Sequence, residues 1–270
     1  MKFTQKIISL IPSVTEILYY LGLEAKVVGI TENCNYPEET KFKCKVGTFG
    51  HPRLSAILGL EPDIVLADGA LHKKLIEDLQ RNKIIVIEAT PINVNDIFIL
   101  MSKLGSLSHT ELTVQPLINR LRERVDRLIR KSVVRRPRVF RLMSTDPLVT
   151  PGLQSFQYDA LLLAGAQLMD FRANDPYVKV SWDQVRRFDP EVILFCGVEQ
   201  GQSLPLKCKG CIAKNPICHR TVEDILDLEW EHITAFRENR IYPVSCDTIC
   251  RPGPRLIDGV EKLHNLFYRK

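Results

Sequence analysis

The sequence predicts an α/β protein of two Rossmann-like lobes with parallel sheets, joined by a long backbone helix. Short apolar runs of strand length alternate with helix-like segments in both halves of the chain. Such alternation is typical of a parallel sheet covered by helices on both faces. An unbroken helix-like stretch separates the halves, and residues 60–69 of the first half are echoed by residues 188–197 of the second.

We therefore expect an N-terminal lobe at 1–108, a connecting helix at 109–134 and a C-terminal lobe at 135–270. The first lobe opens on a buried strand at 7–11, after which Ser13 and Glu16 form a predicted capping box and Gly22 ends the helix. The remaining apolar patterns predict further strands at 27–30, 63–67 and 84–87, and helices at 54–60, 71–82 and 95–104.

The connecting helix is predicted over 111–131, where leucine and valine recur at helical spacing between arginines. The basic run at 120–138 is interpreted as a solvated face and not as a nucleic-acid site, because no aromatic residues interleave with it. In the second lobe the patterns predict strands at 138–142, 192–195 and 241–244, and helices at 158–168, 182–188 and 254–266.

Composition bounds the protein class. The 270 residues carry a net charge of +5 and 45% hydrophobic residues, as expected of a globular protein. No apolar run approaches the ~20 residues that a membrane span needs. The N-terminus lacks a secretory core, so we expect a cytoplasmic monomer; the alternative is a periplasmic or extracellular protein whose leader was removed.

Ligands of open parallel sheets bind beyond the carboxyl ends of the strands. In the first lobe this rule selects four residues: Ser13, Cys34, Tyr36 and Asp68. In the second lobe it selects Asp146, Pro147 and Cys196. Phosphate-loop, dinucleotide-fold and serine-hydrolase motifs do not occur in the sequence.

Several segments resemble one protein family. Residues 8–18 (ISLIPSVTEIL), 60–65 (LEPDIV) and 251–259 (RPGPRLIDG) are similar to the class III, helical-backbone substrate-binding proteins of ABC transporters. The 251–259 motif, taken with 33–37 (NCNYP), resembles a leaderless, cobalamin-binding branch of that family. The resemblance covers nearly the whole chain.

The resemblance implies a binding protein for a cobalamin, another corrinoid or a related metal chelate, with an ABC permease as a possible partner. The chelate would lie flat in the cleft between the lobes, and the loop that carries His51 faces that cleft in the family. Besides the strand-end residues, among which Tyr36 would pack against the chelate, the expected ligand-binding residues are Phe49, His51, Phe156, Tyr177, Trp182 and Arg251.

The chain departs from the family in a cysteine-rich insertion at 196–219. Cys208 and Cys211 have the two-residue spacer that allows two thiolates to bind one metal, and Cys218 adds a third. We predict that these three share a site with Cys250 or Cys246, and that Cys196 faces the ligand apart from them. His219 is the other candidate ligand, and Cys44 is interpreted as a small apolar residue.

Four thiolates suit a 4Fe-4S cluster, with structural zinc as the alternative. We favour iron–sulfur because a second compact Cys-x-x-Cys pair is missing and nearby lysines would offset the cluster's charge. The alternative function is an iron–sulfur redox enzyme, or an electron-transfer partner, that acts on the metal of the bound chelate.

Overall fold

The structure of the protein is a computed structural model. It describes residues 5–131, 135–172, 174–197, 220–225 and 230–269. None of the described helices has the length and apolar content that crossing a membrane requires.

The first lobe contains a parallel five-stranded sheet with strand order β3-β2-β1-β4-β5. The central strands β1 and β4 are buried throughout, as their apolar sequences predict for strands covered on both faces. The strands are β1 Ile7–Ser9, β2 Val27–Ile30, β3 Cys44–Lys45, β4 Ile64–Ala67 and β5 Ile85–Glu88. The helices are α1 Pro12–Tyr20, α2 Leu54–Leu58, α3 Lys73–Arg81 and α4 Val94–Leu107.

The second lobe contains a parallel sheet of order β11-β10-β6 and a separate antiparallel sheet of order β7-β8-β9. The parallel strands are β6 Val139–Leu142, β10 Val192–Cys196 and β11 Ile241–Val244, and the antiparallel strands are β7 Ser144–Thr145, β8 Leu148–Pro151 and β9 Tyr177–Lys179. The helices are α6 Phe156–Leu163, α7 Trp182–Phe188, α8 Thr234–Arg237, α9 Cys246–Ile249 and α10 Arg255–Phe267. The two-lobed α/β prediction is confirmed, whereas the antiparallel sheet was not predicted.

Helix α5, Glu111–Lys131, connects the lobes where the sequence predicts it. Its buried residues Val114, Ile118, Leu121, Val125 and Leu128 follow a spacing of three and four, which places them on one face. They belong to a core cluster that also includes residues of both parallel sheets and of α10. The two lobes therefore share one continuous core, and the exact boundaries at 108 and 134 remain a prediction.

The predicted capping box at the start of α1 is wrong. The helix begins at Pro12, two residues earlier than a Ser13 N-cap implies, and no side chain caps it. Proline at the first helical position already has the required φ and lacks one of the amides that a helix start leaves without an intrahelical partner. Ser13 and Glu16 are instead buried inside the protein.

Candidate functional site

A cleft of about 400 Å³ opens between the lobes at the carboxyl ends of both parallel sheets. The residues after β1, β4 and β5 form one wall, and the ends of β6 and β10, together with α9, contribute to the other. Its lining comprises Ile11, Pro12, Ser13, Phe49, Asp68, Ala89, Thr90, Pro91, Met143, Phe156, Gln157, Tyr177, Cys196, Cys246, Cys250, Arg251 and Pro252.

The cleft brings together most of the residues that the sequence selects. Those proposed as ligand contacts and found in its lining are Ser13, Phe49, Asp68, Phe156, Tyr177, Cys196 and Arg251. Cys246 and Cys250, predicted as metal ligands, also line the cleft. The aromatic side chains give the cleft flat apolar surfaces, while Asp68, Arg251 and the cysteines provide polar groups.

The structure does not bring six of the selected residues into the cleft. Asp146 and Pro147 are exposed in the turn between β7 and β8. Cys34 is buried, with its sulfur 3.1 Å from the Thr15 hydroxyl, and burial raises the pKa of its thiol. Trp182 packs edge-on against Trp230, with ring centroids 4.6 Å apart. Tyr36 lies in another groove, and His51 is exposed on its loop. Cys44, interpreted as a small apolar residue, is exposed on the edge strand β3.

His72 supports one wall of the cleft, a role that the sequence did not suggest. Its buried ring accepts a hydrogen bond at Nδ1 from the Asp68 amide (3.1 Å), so Nε2 donates to the Phe49 carbonyl at 2.7 Å. The Phe49 ring also stands edge-on to His72, with centroids 5.5 Å apart. A neutral His72 thereby holds Phe49 and Asp68 in position at the cleft.

The sulfurs of Cys196 and Cys250 meet the buried guanidinium of Arg141 at the second-lobe wall. Arg141 donates from Nη2 to Cys196 Sγ at 2.9 Å and to Cys250 Sγ at 3.8 Å. The Arg141 Nε and Nη1 atoms are buried without a hydrogen-bond partner among the described residues. The prediction that Cys196 lies apart from Cys250 is therefore wrong: β10 and α9 end side by side because β10 pairs with β11, which leads into α9.

Cys196 and Cys250 are hydrogen-bonded to each other, and the pKa values of their thiols shift in opposite directions. Hydrogen bonds from Cys196 and then from Cys246 hold the pKa of Cys250 well below its usual range. The bond to Cys250 and burial both raise the pKa of Cys196. The shorter contact of Arg141 with Cys196 would favour charge there instead, but Cys250 accepts from two thiols as well as from Arg141, so we place the negative charge on Cys250. Partial burial, followed by the charge on these sulfurs, raises the pKa of the nearby Tyr177.

Glu16 joins the lobes beside the cleft. Its side chain is buried and accepts two hydrogen bonds from Arg255, at 2.8 and 2.6 Å, and one from Arg251 at 3.1 Å. Arg251 also donates to Asn35 Oδ1 at 2.7 Å. The Arg251 guanidinium thus binds first-lobe residues while the residue itself lines the cleft.

A second groove, of about 870 Å³, is larger than the cleft but lies outside it. Its lining includes Tyr19, Tyr36, Phe42, Arg124 and Arg255, from α1, the following loops, α5 and α10. The Arg255 guanidinium stacks 3.8 Å above the Tyr36 ring there. Because none of the described residues that line this groove directly follows a parallel strand, we place the functional site in the smaller cleft.

The predicted metal ligands Cys208, Cys211 and Cys218, like His219, lie outside the described residues. In the part of the chain that the structure does describe, no three Cys, His, Asp or Glu side chains form a group that could hold a metal ion. The iron–sulfur and zinc assignments therefore stay predictions.

Two α/β lobes with parallel sheets, a connecting helix and a cleft between them define a class III substrate-binding protein. The chain belongs to the periplasmic binding protein family, whose profile matches residues 7–245. This confirms the resemblance seen in the sequence.

Relatives match over nearly the full chain. An uncharacterized ABC transporter substrate-binding lipoprotein of Bacillus subtilis, YvrC, is 27% identical over 99% of this chain and 81% of its own length. A vitamin B12-binding protein of Vibrio parahaemolyticus is 25% identical over 95% of this chain and 86% of its own.

Solved structures share the fold. The periplasmic vitamin B12-binding protein of Vibrio cholerae has a TM-score of 0.74 at 23% identity, covering 97% of this chain and 96% of that one. The periplasmic haem-binding protein of the same species has a TM-score of 0.79 at 16% identity, covering 98% and 99%.

Proposed function

We propose that the protein binds a cobalamin, another corrinoid or a related metal chelate in the cleft between its lobes. The observation that carries the proposal is the position of the cleft: residues from both lobes line it at the carboxyl ends of the strands. Phe49, Phe156 and Tyr177 offer aromatic surfaces against which a flat conjugated ring can pack. The vitamin B12-binding relatives support the choice of ligand class.

Titration of the purified protein with aquocobalamin and with haemin tests this function. We expect saturable absorbance changes with a dissociation constant at or below about 10 µM for one of them, roughly 7 kcal/mol of binding free energy. The substitutions F156A and Y177A each remove an aromatic surface of the cleft and should weaken binding by about tenfold.

The matched control is F42A, because Phe42 is 79% exposed and lies in the outer groove. Its affinity should equal that of the wild type. Failure of every corrinoid and haem to bind, or a loss confined to F42A, would rule out ligand binding in the cleft.

The proposed chelate would be delivered to an ABC permease. The Bacillus relative is a lipoprotein of this transporter class, and the solved relatives are periplasmic proteins. These likenesses favour the periplasmic or extracellular alternative over the cytoplasmic location that the sequence predicted. Fractionation of cells that express the native gene from its own start tests the location, with the protein expected outside the cytoplasm.

The cysteine-rich insertion remains a candidate metal site. Three thiolates at 208, 211 and 218 need one further ligand for a closed 4Fe-4S or zinc site. Anaerobic purification followed by iron, sulfide and zinc analysis should find about one cluster or one zinc per chain, lost in C208S and retained in C44S. A wild type and a C44S variant that both lack iron and zinc would contradict the prediction.

A further inference from the structure

Three of the five described cysteines, Cys196, Cys246 and Cys250, lie at the wall of the cleft. Cys246 and Cys250 lie one turn apart in α9, with the Cys250 amide bonded to the Cys246 carbonyl at 2.9 Å. Cys196 ends β10 beside them and is only 4% exposed, whereas Cys250 is partly exposed. All three line the cleft, and Cys250 is the residue of the bonded pair that leaves more surface exposed.

A buried positive charge, the Arg141 guanidinium, lies next to these cysteines. Arg141 is 1% exposed, and among the described side chains its guanidinium donates hydrogen bonds to Cys196 and Cys250. A guanidinium stays protonated in proteins, and a buried charge is costly unless it is paired. The Arg220 side chain adds positive charge near Cys196. A thiolate facing the cleft is the anion that balances this charge.

A thiolate is a soft ligand that suits cobalt or iron in a chelate. The ring of such a chelate already supplies the equatorial donors, so one sulfur from the protein completes an axial position. The aromatic residues of the cleft would hold the ring, and the sulfur would fix its metal.

We propose that Cys250 is the axial ligand to the metal of the chelate, and that Arg141 positions and charge-balances its sulfur. This inference rests on the proposed function. With aquocobalamin the step breaks the bond between cobalt and water and forms a bond between cobalt and Sγ. Water leaves, and no electrons are transferred, so cobalt stays trivalent.

X-ray absorption at the cobalt edge of the aquocobalamin complex tests the ligand. We expect one sulfur neighbour at about 2.3 Å in the wild type, the usual length of a metal–thiolate bond. C250S should lose that sulfur and bind about tenfold or more weakly, while its cleft still packs the ring. C34S and C44S are matched thiol-to-hydroxyl controls outside the cleft and should retain the sulfur.

Other results separate the two proposals. Aquocobalamin that binds without a sulfur neighbour overturns the thiolate ligand and leaves the binding function standing. Sulfur that persists in C250S but disappears in C196S overturns the assignment to Cys250. If aquocobalamin does not bind, the haemin complex is examined by electron paramagnetic resonance for a thiolate-ligated ferric signal; its absence overturns the inference, and failure of both probes to bind overturns the function as well.

Arg141 acts through the sulfur, so its test needs a readout beyond affinity. R141K keeps the charge but shortens the reach of the side chain, and it should lengthen or weaken the cobalt–sulfur bond while circular dichroism shows a folded protein. An unchanged cobalt–sulfur distance in a folded R141K variant would show that Arg141 does not position Cys250.

Discussion

Several polar residues inside this protein have partners that lie far away in sequence, which is why local patterns missed them. His72 contacts the loop that holds Phe49, and Arg141 contacts cysteines at positions 196 and 250. The sequence selected cleft residues such as Asp68 correctly because the ends of parallel strands can be located from local patterns. It misplaced Trp182 because an apolar ring near a strand end can equally pack into the core.

His72 should stabilise the cleft wall. Replacing it in H72A leaves the partly buried Asp68 amide and Phe49 carbonyl without this partner, at a cost of about 2 kcal/mol. Urea unfolding measures the change, and H51A is the control because His51 is exposed. Equal midpoints for the two variants would show that His72 contributes nothing to stability.

Helices and strands with a strong apolar pattern were predicted well. Short strands whose position depends on pairing with another strand were not. The period of α5 gave its bounds, and the buried central strands were evident as apolar runs. Strands β7, β8 and β9 are short, and β9 joins β8 across an intervening helix, so their register depends on tertiary contacts. The start of α1 was misjudged because Pro12 and a capping box predict nearly the same boundary.

The packing of α4 against α5 depends on Gly105. A Cβ at this position would lie 3.1 Å from two side-chain atoms of Val114, closer than buried carbons normally approach. Alanine normally favours a helix interior over glycine by about 1 kcal/mol. We expect the clash to prevail, so G105A should lower the free energy of unfolding by about 1 kcal/mol.

A double-mutant cycle checks the cause. In the V114A background two of the three close atoms, Cγ1 and Cγ2, are gone and Cβ remains at 3.1 Å, so G105A should destabilise the protein less than it does in the wild type. The same loss from G105A in both backgrounds would show that Val114 is not the obstacle.

At the scale of the whole molecule, the cleft depends on how the lobes are held together. The shared core fixes α5 and α10 between them, and the Glu16 cluster adds polar bonds from α1 to the start of α10. The motif at 251–259 indicates the family, but it does not indicate this role of Arg251 and Arg255. That role requires a first-lobe carboxylate 235 residues away in sequence, which no local pattern identifies.

Loss of the Glu16 carboxylate should loosen the lobes. In E16A two arginines that are 10% and 25% exposed lose their buried anion and keep the longer contacts with Asp247, at 3.5 and 3.6 Å, so we expect roughly 2–3 kcal/mol of destabilisation. The control is E61A: Glu61 pairs with Lys6 at 3.2 Å but is 83% exposed, so its loss should cost less than about 0.5 kcal/mol. Urea unfolding of both variants makes the comparison.

The same variant separates lobe orientation from direct contact with the ligand. Glu16 lines the outer groove and not the cleft, so E16A removes no side chain that the chelate would touch. Chelate affinity should nevertheless fall several-fold, because Arg251, which lines the cleft, loses its bond to Glu16. An E16A protein that is destabilised but binds aquocobalamin or haemin as tightly as the wild type would show that the shared core alone sets the geometry of the cleft.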